Sequence, residues 1–176
     1  MDALPQVLAS VEARLAVAVD DRESRSIERF LAECARLSRP FDEHADPVHI
    51  TGSAIVVGER GVVLHFHKRL AMWLQPGGHI DDGEPPWDAA LRETIEETGL
   101  VAVRFVAPDP SELAHVDVHL GGRGHTHLDL RYLLTAPPDD PAPPEDESQD
   151  VRWFAWDDAI EAADPGLAGA LRSLRP

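Results

Sequence analysis

The stretch "GGHIDDGEPPWDAALRETIEETGL", residues 77–100, holds seven carboxylates, among them Glu84, Glu93, Glu96 and Glu97. Pro85 and Pro86 stand at a helix start and Gly99 just past its end, the expected polarity of helix punctuation. The pattern predicts a helix over 86–98. Leu91 and Ile95 lie four apart with Trp87 one turn earlier, an apolar stripe for a core. Glu93, Glu96 and Glu97 crowd onto another face, and Arg92 is the one arginine among them. One guanidinium cannot neutralise three carboxylates. Such convergence suits the hard, oxygen-seeking cations Mg²⁺ or Mn²⁺. For a helix taken alone, the competing reading is an acidic face turned to water.

Upstream, "ITGSAIVVGERGVVLHFHK" reads as two β-rich runs around a turn at 58–61, and "MWLQPGG" as a short strand ending in a turn. Downstream, strands are expected at 101–106, 113–120 and 126–135, followed by a Pro- and acid-rich loop over 136–150. "VRWFAW" is a last strand leading into two terminal helices. The first forty residues carry helical spacing twice, at Leu4, Val7, Leu8, Val11 and Leu15 and again at Ile27, Phe30, Leu31, Cys34 and Leu37. The expected organisation is a helical extension over 1–46, belonging to the same domain or serving a dimer contact, and a main domain over 47–176.

With 176 residues, 43% hydrophobic and 27% charged, the chain can bury a core. A formal charge of −16 repels nucleic-acid backbones and anionic lipid, so neither duplex DNA nor a membrane is an expected partner. The start lacks a secretory pattern and no apolar run has the length of a membrane span, so a cytoplasmic location is the expectation. The single cysteine, Cys34, excludes an intrachain disulfide and reads as a small buried apolar residue.

From Gly78 the stretch runs glycine, five residues, Glu84, seven residues, then Arg92-Glu93-Thr94-Ile95-Glu96-Glu97-Thr98-Gly99-Leu100. This resembles the Nudix box, G-x5-E-x7-R-E-U-x-E-E-x-G-U, with U a bulky aliphatic residue. All seven fixed residues match, and the one departure is Thr94 at the first U. The resemblance covers roughly 48–160. It implies an α+β fold, an α-β-α sandwich with a central mixed sheet between helices. It also implies Mg²⁺- or Mn²⁺-dependent hydrolysis of a phosphoanhydride in a nucleoside diphosphate derivative or nucleoside triphosphate. Carried over by position, Glu93, Glu96, Glu97 and the Gly78 carbonyl would hold metal, Arg92 would hold a glutamate, and Glu84 and Gly99 would shape the box. The proton acceptor varies among members, so Glu93 and the loop acid Glu147 both stand as candidates. A catalytically silent binding or sensor module is the alternative function, and such modules generally lose the box glutamates. The related isopentenyl diphosphate isomerases carry Cys-Gly-His where this chain has Gly77-Gly78-His79, so their proton-carrying thiol is missing here. A homodimer would be in keeping with the resemblance.

Outside the box, Lys68 and Arg69 are candidates for substrate phosphates, and His79 adjoins Gly78. His115, Asp117 and His119, and after a glycine-rich turn His125, His127, Asp129 and Arg131, alternate with apolar residues as in an antiparallel hairpin. The expected register places His119 opposite His125, Asp117 opposite His127 and His115 opposite Asp129. The expected face is solvated, with substrate contact by His127, Asp129 and Arg131 as a second reading and a transition-metal site as a third.

Overall fold

The computed structural model describes residues 3–176. Helix α1 (Leu4–Arg14) and helix α2 (Asp21–Cys34) precede the hairpin of strand β1 (Val48–Gly58) and strand β2 (Gly61–His67). Short strands β3 (Met72–Leu74) and β4 (Gly77–Gly78) lead into helix α3 (Pro86–Thr98). Strands β5 (Arg104–Phe105), β6 (His115–Leu120), β7 (Thr126–Thr135) and β8 (Val151–Phe154) follow, then helices α4 (Trp156–Ala162) and α5 (Pro165–Leu174). No helix among the described residues is long and apolar enough to cross a membrane.

All eight strands join one mixed sheet with a main order of β3-β2-β1-β7-β5. β1 and β7 run parallel along their length, Val48 beside Thr126 through Val57 beside Thr135. β1 serves two partners on its other edge: its middle pairs with β4 (Gly52 with Gly78) and its end with β2 (Val56 with Val63). Period-2 alternation sends Ile50, Ala54, Leu128, Leu130 and Tyr132 to one face, where they bury with Val7, Val11, Ile27, Phe30 and Cys34 of α1 and α2 and Ala89 and Ala90 of α3. Ile55, Val62 and Leu64 bury on the other face with Leu167 and Leu171 of α5. Helices thus cover both faces, as the fold class requires. The N-terminal helices share the sheet's own core.

Two local expectations change around the box helix. The strand expected over 101–106 contracts to Arg104–Phe105, which pairs with Thr135 and Leu134 at the end of β7, and the Val106 N–H donates to the Leu133 carbonyl beyond it. The most buried residues of α3 are Pro86, Ala89, Ala90, Thr94 and Thr98, while Trp87 and Leu91 of the expected stripe pack against the core partly buried and Ile95 is partly buried. Small residues are needed there because a side chain at Gly52 of β1 would strike the Pro86 carbonyl. Thr94 fits that tight seam, its hydroxyl donating to the Ala90 carbonyl at 2.7 Å.

The β6–β7 hairpin is antiparallel as expected, but its register is displaced. His119 faces His127, Asp117 faces Asp129 and His115 faces Arg131. The turn at Gly122–Gly124 is a 3₁₀ turn with the Gly121 N–H donating to the His125 carbonyl, which places His125 outside the ladder. Nor is the polar face solvated: His115, Asp117, Asp129 and Arg131 are all buried. Arg22 and Ser26 of α2 reach Asp117, and Gly166 of α5 lies against it without a side chain between.

Candidate active site

Helix α3 is set by its ends. Pro86 opens it, and Gly99 closes it in the left-handed conformation at φ 69°. The acid-rich loop docks on that closing turn: the Ala142 N–H donates to the Thr98 carbonyl at 2.9 Å, and a side chain at Gly99 would strike the Ala142 carbonyl. Farther along, the Ser148 hydroxyl donates to the Phe66 carbonyl at 2.8 Å, and the Phe66 N–H to that of Asp150. The loop is therefore strapped from α3 to β2. Glu147 lies within this strap, partly buried, while Glu145 and Asp146 are exposed.

Arg92 organises one half of the carboxylate cluster. Its Nε and Nη2 donate to the two oxygens of Glu84 at 3.0 and 2.9 Å, a bidentate grip, and Nη2 also reaches the His79 carbonyl at 3.0 Å. Its Nη1 meets Glu93 at 2.8 Å and Glu96 at 3.1 Å. Glu84 in turn accepts the Asp81 N–H at 3.1 Å, so Arg92 and Glu84 together shape the loop between Gly78 and the helix. Glu93 packs against Gly78 so closely that a side chain there would collide with the carboxylate.

Glu97 makes up the other half. Its Oε2 accepts the Gly77 N–H at 2.9 Å, and its Oε1 lies 3.6 Å from Nδ1 of His65. Burial, then the charges of Glu93, Glu147 and Glu96, push its carboxyl up to about 8 against the single favourable Gly77 bond. Burial likewise raises Glu93, with Glu96 and Glu147 adding to it against Arg92. Glu147 is thus close enough for its charge to act on both. Burial and the nearby His67 hold His65 down to about 4, so it brings no positive charge at neutral pH. Acidic groups outnumber their cations here, and the donor set of carboxylates and a backbone carbonyl fits a hard dication.

The remaining candidates divide. Lys68 and Arg69 are exposed after β2, and Arg69 reaches toward Gly122, where an added side chain would strike its guanidinium. His79 and His127 gather with His49 and His125. Asp129 and Arg131 do not line an open site, contrary to their candidacy for substrate contact. Asp129 accepts from Thr51 at 3.1 Å, Ser53 at 3.0 Å, Gln75 at 3.2 Å and Arg131 at 3.0 Å. Arg131, 1% exposed, also reaches Asp117 at 3.3 Å. Sequence reading missed His49, His65 and Gln75. Of these, His49 and His65 stand on polar-alternating positions of strands that otherwise read as apolar.

Comparison with known proteins agrees with this geometry. The NUDIX domain family matches residues 47–174. The asymmetrical bis(5'-nucleosyl)-tetraphosphatase of Caenorhabditis elegans is 30% identical over 99 residues, spanning 56% of this chain and 70% of that protein. Against two further curated relatives the chain spans 54% and 49% of their length, about half. A NUDIX-family hydrolase from Clostridium perfringens superposes with a TM-score of 0.61 at 28% identity, covering 72% of this chain and 98% of that one. A C. elegans Ap4A hydrolase binary complex superposes at 0.60 and 25%, covering 71% and 93%. On the family match and the intact box, the chain belongs to the Nudix hydrolases, enzymes that act on phosphorus-containing anhydrides.

Proposed function

We propose that this chain is a divalent-metal-dependent pyrophosphohydrolase that cleaves a nucleoside polyphosphate or nucleoside diphosphate derivative by water attack at phosphorus. The observation that supports it most is the set of box carboxylates beside Gly78 with Arg92 engaged on one half and Glu97 left to Gly77 on the other. Glu93, Glu96, Glu97 and the Gly78 carbonyl would hold Mg²⁺ or Mn²⁺. Such ions neutralise charge that develops at the phosphoryl oxygens and lower the pKa of a bound water.

The chain's own residues supply orientation and proton transfer. Arg92 is committed to Glu84, Glu93 and the His79 carbonyl, so it holds the box loop in shape rather than meeting substrate. With Glu93 taken by Arg92, Glu147 on the strapped loop is the proton acceptor we favour. The exposed Lys68 and Arg69 would attract the polyphosphate to an otherwise acidic protein. Resemblance to a bis(5'-nucleosyl)-tetraphosphatase favours a dinucleoside polyphosphate as the first substrate to try.

The test is incubation with dinucleoside polyphosphates, ADP-ribose, nucleotide sugars and nucleoside triphosphates, with and without Mg²⁺, in ¹⁸O-labelled water, with products read by mass spectrometry. Metal-dependent cleavage carrying one labelled oxygen into a phosphate product, lost in Glu97→Gln, would support the reading and name the bond. Tight binding of one compound without turnover would instead indicate a sensor module.

A further inference from the structure

His49, His79, His125 and His127 each offer a ligand atom, and these atoms all lie within 4.8 Å of one another. His49 belongs to β1, His79 follows β4 at the start of the box loop, His125 sits in the β6–β7 turn and His127 in β7. The His49 ring has the other three around it, with centroids at 5.1 Å (His79), 5.1 Å (His125) and 5.2 Å (His127). We propose that these four imidazoles form a binding site for a transition-metal dication of the Zn²⁺ class, distinct from the box carboxylates.

The first support is the state of His49. The ring is fully buried, and its Nδ1 lies 3.3 Å from the Asp46 carbonyl. That contact fits a proton on Nδ1, which leaves Nε2 as a lone-pair atom. Nε2 is buried and has no hydrogen-bond partner among the described residues. A buried acceptor left so is costly, and a metal ion would satisfy it.

A second support is the setting of the other rings. His79 Nδ1 lies 3.1 Å from Glu43 Oε2, the carboxylate pairing that orients metal-binding histidines. His127 lies where a side chain at Gly121 would collide with its ring, so the turn glycine makes room for it.

Ligand chemistry decides the ion. Imidazole nitrogens favour Zn²⁺, Co²⁺, Ni²⁺ or Cu²⁺, whereas Mg²⁺ takes oxygen ligands. Tetrahedral bonds of about 2.0–2.1 Å bring ligand nitrogens to roughly 3.4 Å of one another, so modest ring rotations close this set onto one ion. The surrounding cleft of about 340 Å³ includes Glu43 and Arg69, one charge of each sign. Because His79 directly follows Gly78, an ion here ties the Gly78 end of the box to the β1–β7 pair. It would set the position of the Gly78 carbonyl without touching the box glutamates.

The test uses the full chain stripped of metal and titrated with Co²⁺ in excess Mg²⁺, followed by displacement with Zn²⁺. We expect a single equivalent of Co²⁺ with the intense visible bands of tetrahedral nitrogen coordination, unchanged in Glu97→Gln. Affinity should fall by about 10–100-fold in Glu43→Gln and by at least that much in His125→Gln. Both substituted residues are partly exposed, and circular dichroism checks that the variants are folded. Absence of the tetrahedral bands, or binding lost in Glu97→Gln but kept in His125→Gln, would overturn the proposal.

Discussion

Glu97 Oε2 accepts the Gly77 N–H at 2.9 Å, which latches the last turn of the box helix to the strand that presents Gly78. A glutamine in its place can still accept that bond through its amide oxygen but carries no charge. Glu97→Gln should therefore keep the wild-type unfolding midpoint and lose at least about 100-fold in kcat, given several kcal/mol of metal stabilisation and about 1.36 kcal/mol per tenfold. Kinetics and urea denaturation on the same sample check both halves. A variant that unfolds early and remains active would defeat the metal-ligand assignment.

Arg92 grips Glu84 with two parallel bonds and reaches the His79 carbonyl besides. Lysine cannot reproduce that fork. Arg92→Lys should lower stability by about 1 kcal/mol after allowance for partial solvent exposure, and lower kcat more than it raises KM. Steady-state kinetics alongside urea melts would show it.

The buried pair of Asp117 and Arg131 holds β6 to β7 and, through Arg22, to α2. Burial opposes ionisation of Asp117, but His119, Arg131 and Arg22 together hold its carboxyl well below the usual carboxylate range. Asp117→Asn leaves Arg131 buried with Asp129 as its remaining anion, and should cost about 3 kcal/mol. Chemical denaturation at neutral pH measures this directly.

His115 faces Arg131 across the hairpin, fully buried, and its Nδ1 has no hydrogen-bond partner among the described residues. Burial, then the Arg131 charge, holds it down from 6.5 to about 3. Between those values the unfolded chain binds the extra proton. The stability that neutral His115 contributes is thus complete above about pH 6.5 and is lost as pH falls toward about 3, at up to about 1.36 kcal/mol per pH unit. His115→Gln should flatten the fall between pH 7 and pH 5 relative to wild type. Equal slopes in urea melts at the two pH values would count against the buried neutral imidazole.

Gly52 faces the first turn of α3, where a side chain would strike the Pro86 carbonyl. Gly52→Ala should push the box helix off β1, costing about 1–3 kcal/mol and reducing activity together with stability. Thermal unfolding and a turnover assay would register both.

The sequence alone determined the box helix, 86–98, and the β1–β2 hairpin, because both depend on neighbours in the chain: prolines at a start, a glycine at an end, fixed spacing between carboxylates. Glu147 was only a candidate in the sequence, and the strap from Thr98 to Phe66 holds the loop that carries it. The β6–β7 register was beyond it. A slip of two residues leaves every side chain on the same face, so alternation cannot tell one register from the other, and the 3₁₀ turn at Gly122–Gly124 decides. Burial of Asp129 and Arg131 goes with partners far off in the chain, Thr51, Ser53 and Gln75 for Asp129 and Asp117 for Arg131, which local spacing does not bring together. The four histidines meet from β1, the box loop, the hairpin turn and β7. Their convergence comes from long-range pairing of β1 with β7 and with β4, which local spacing does not encode and only the folded sheet supplies.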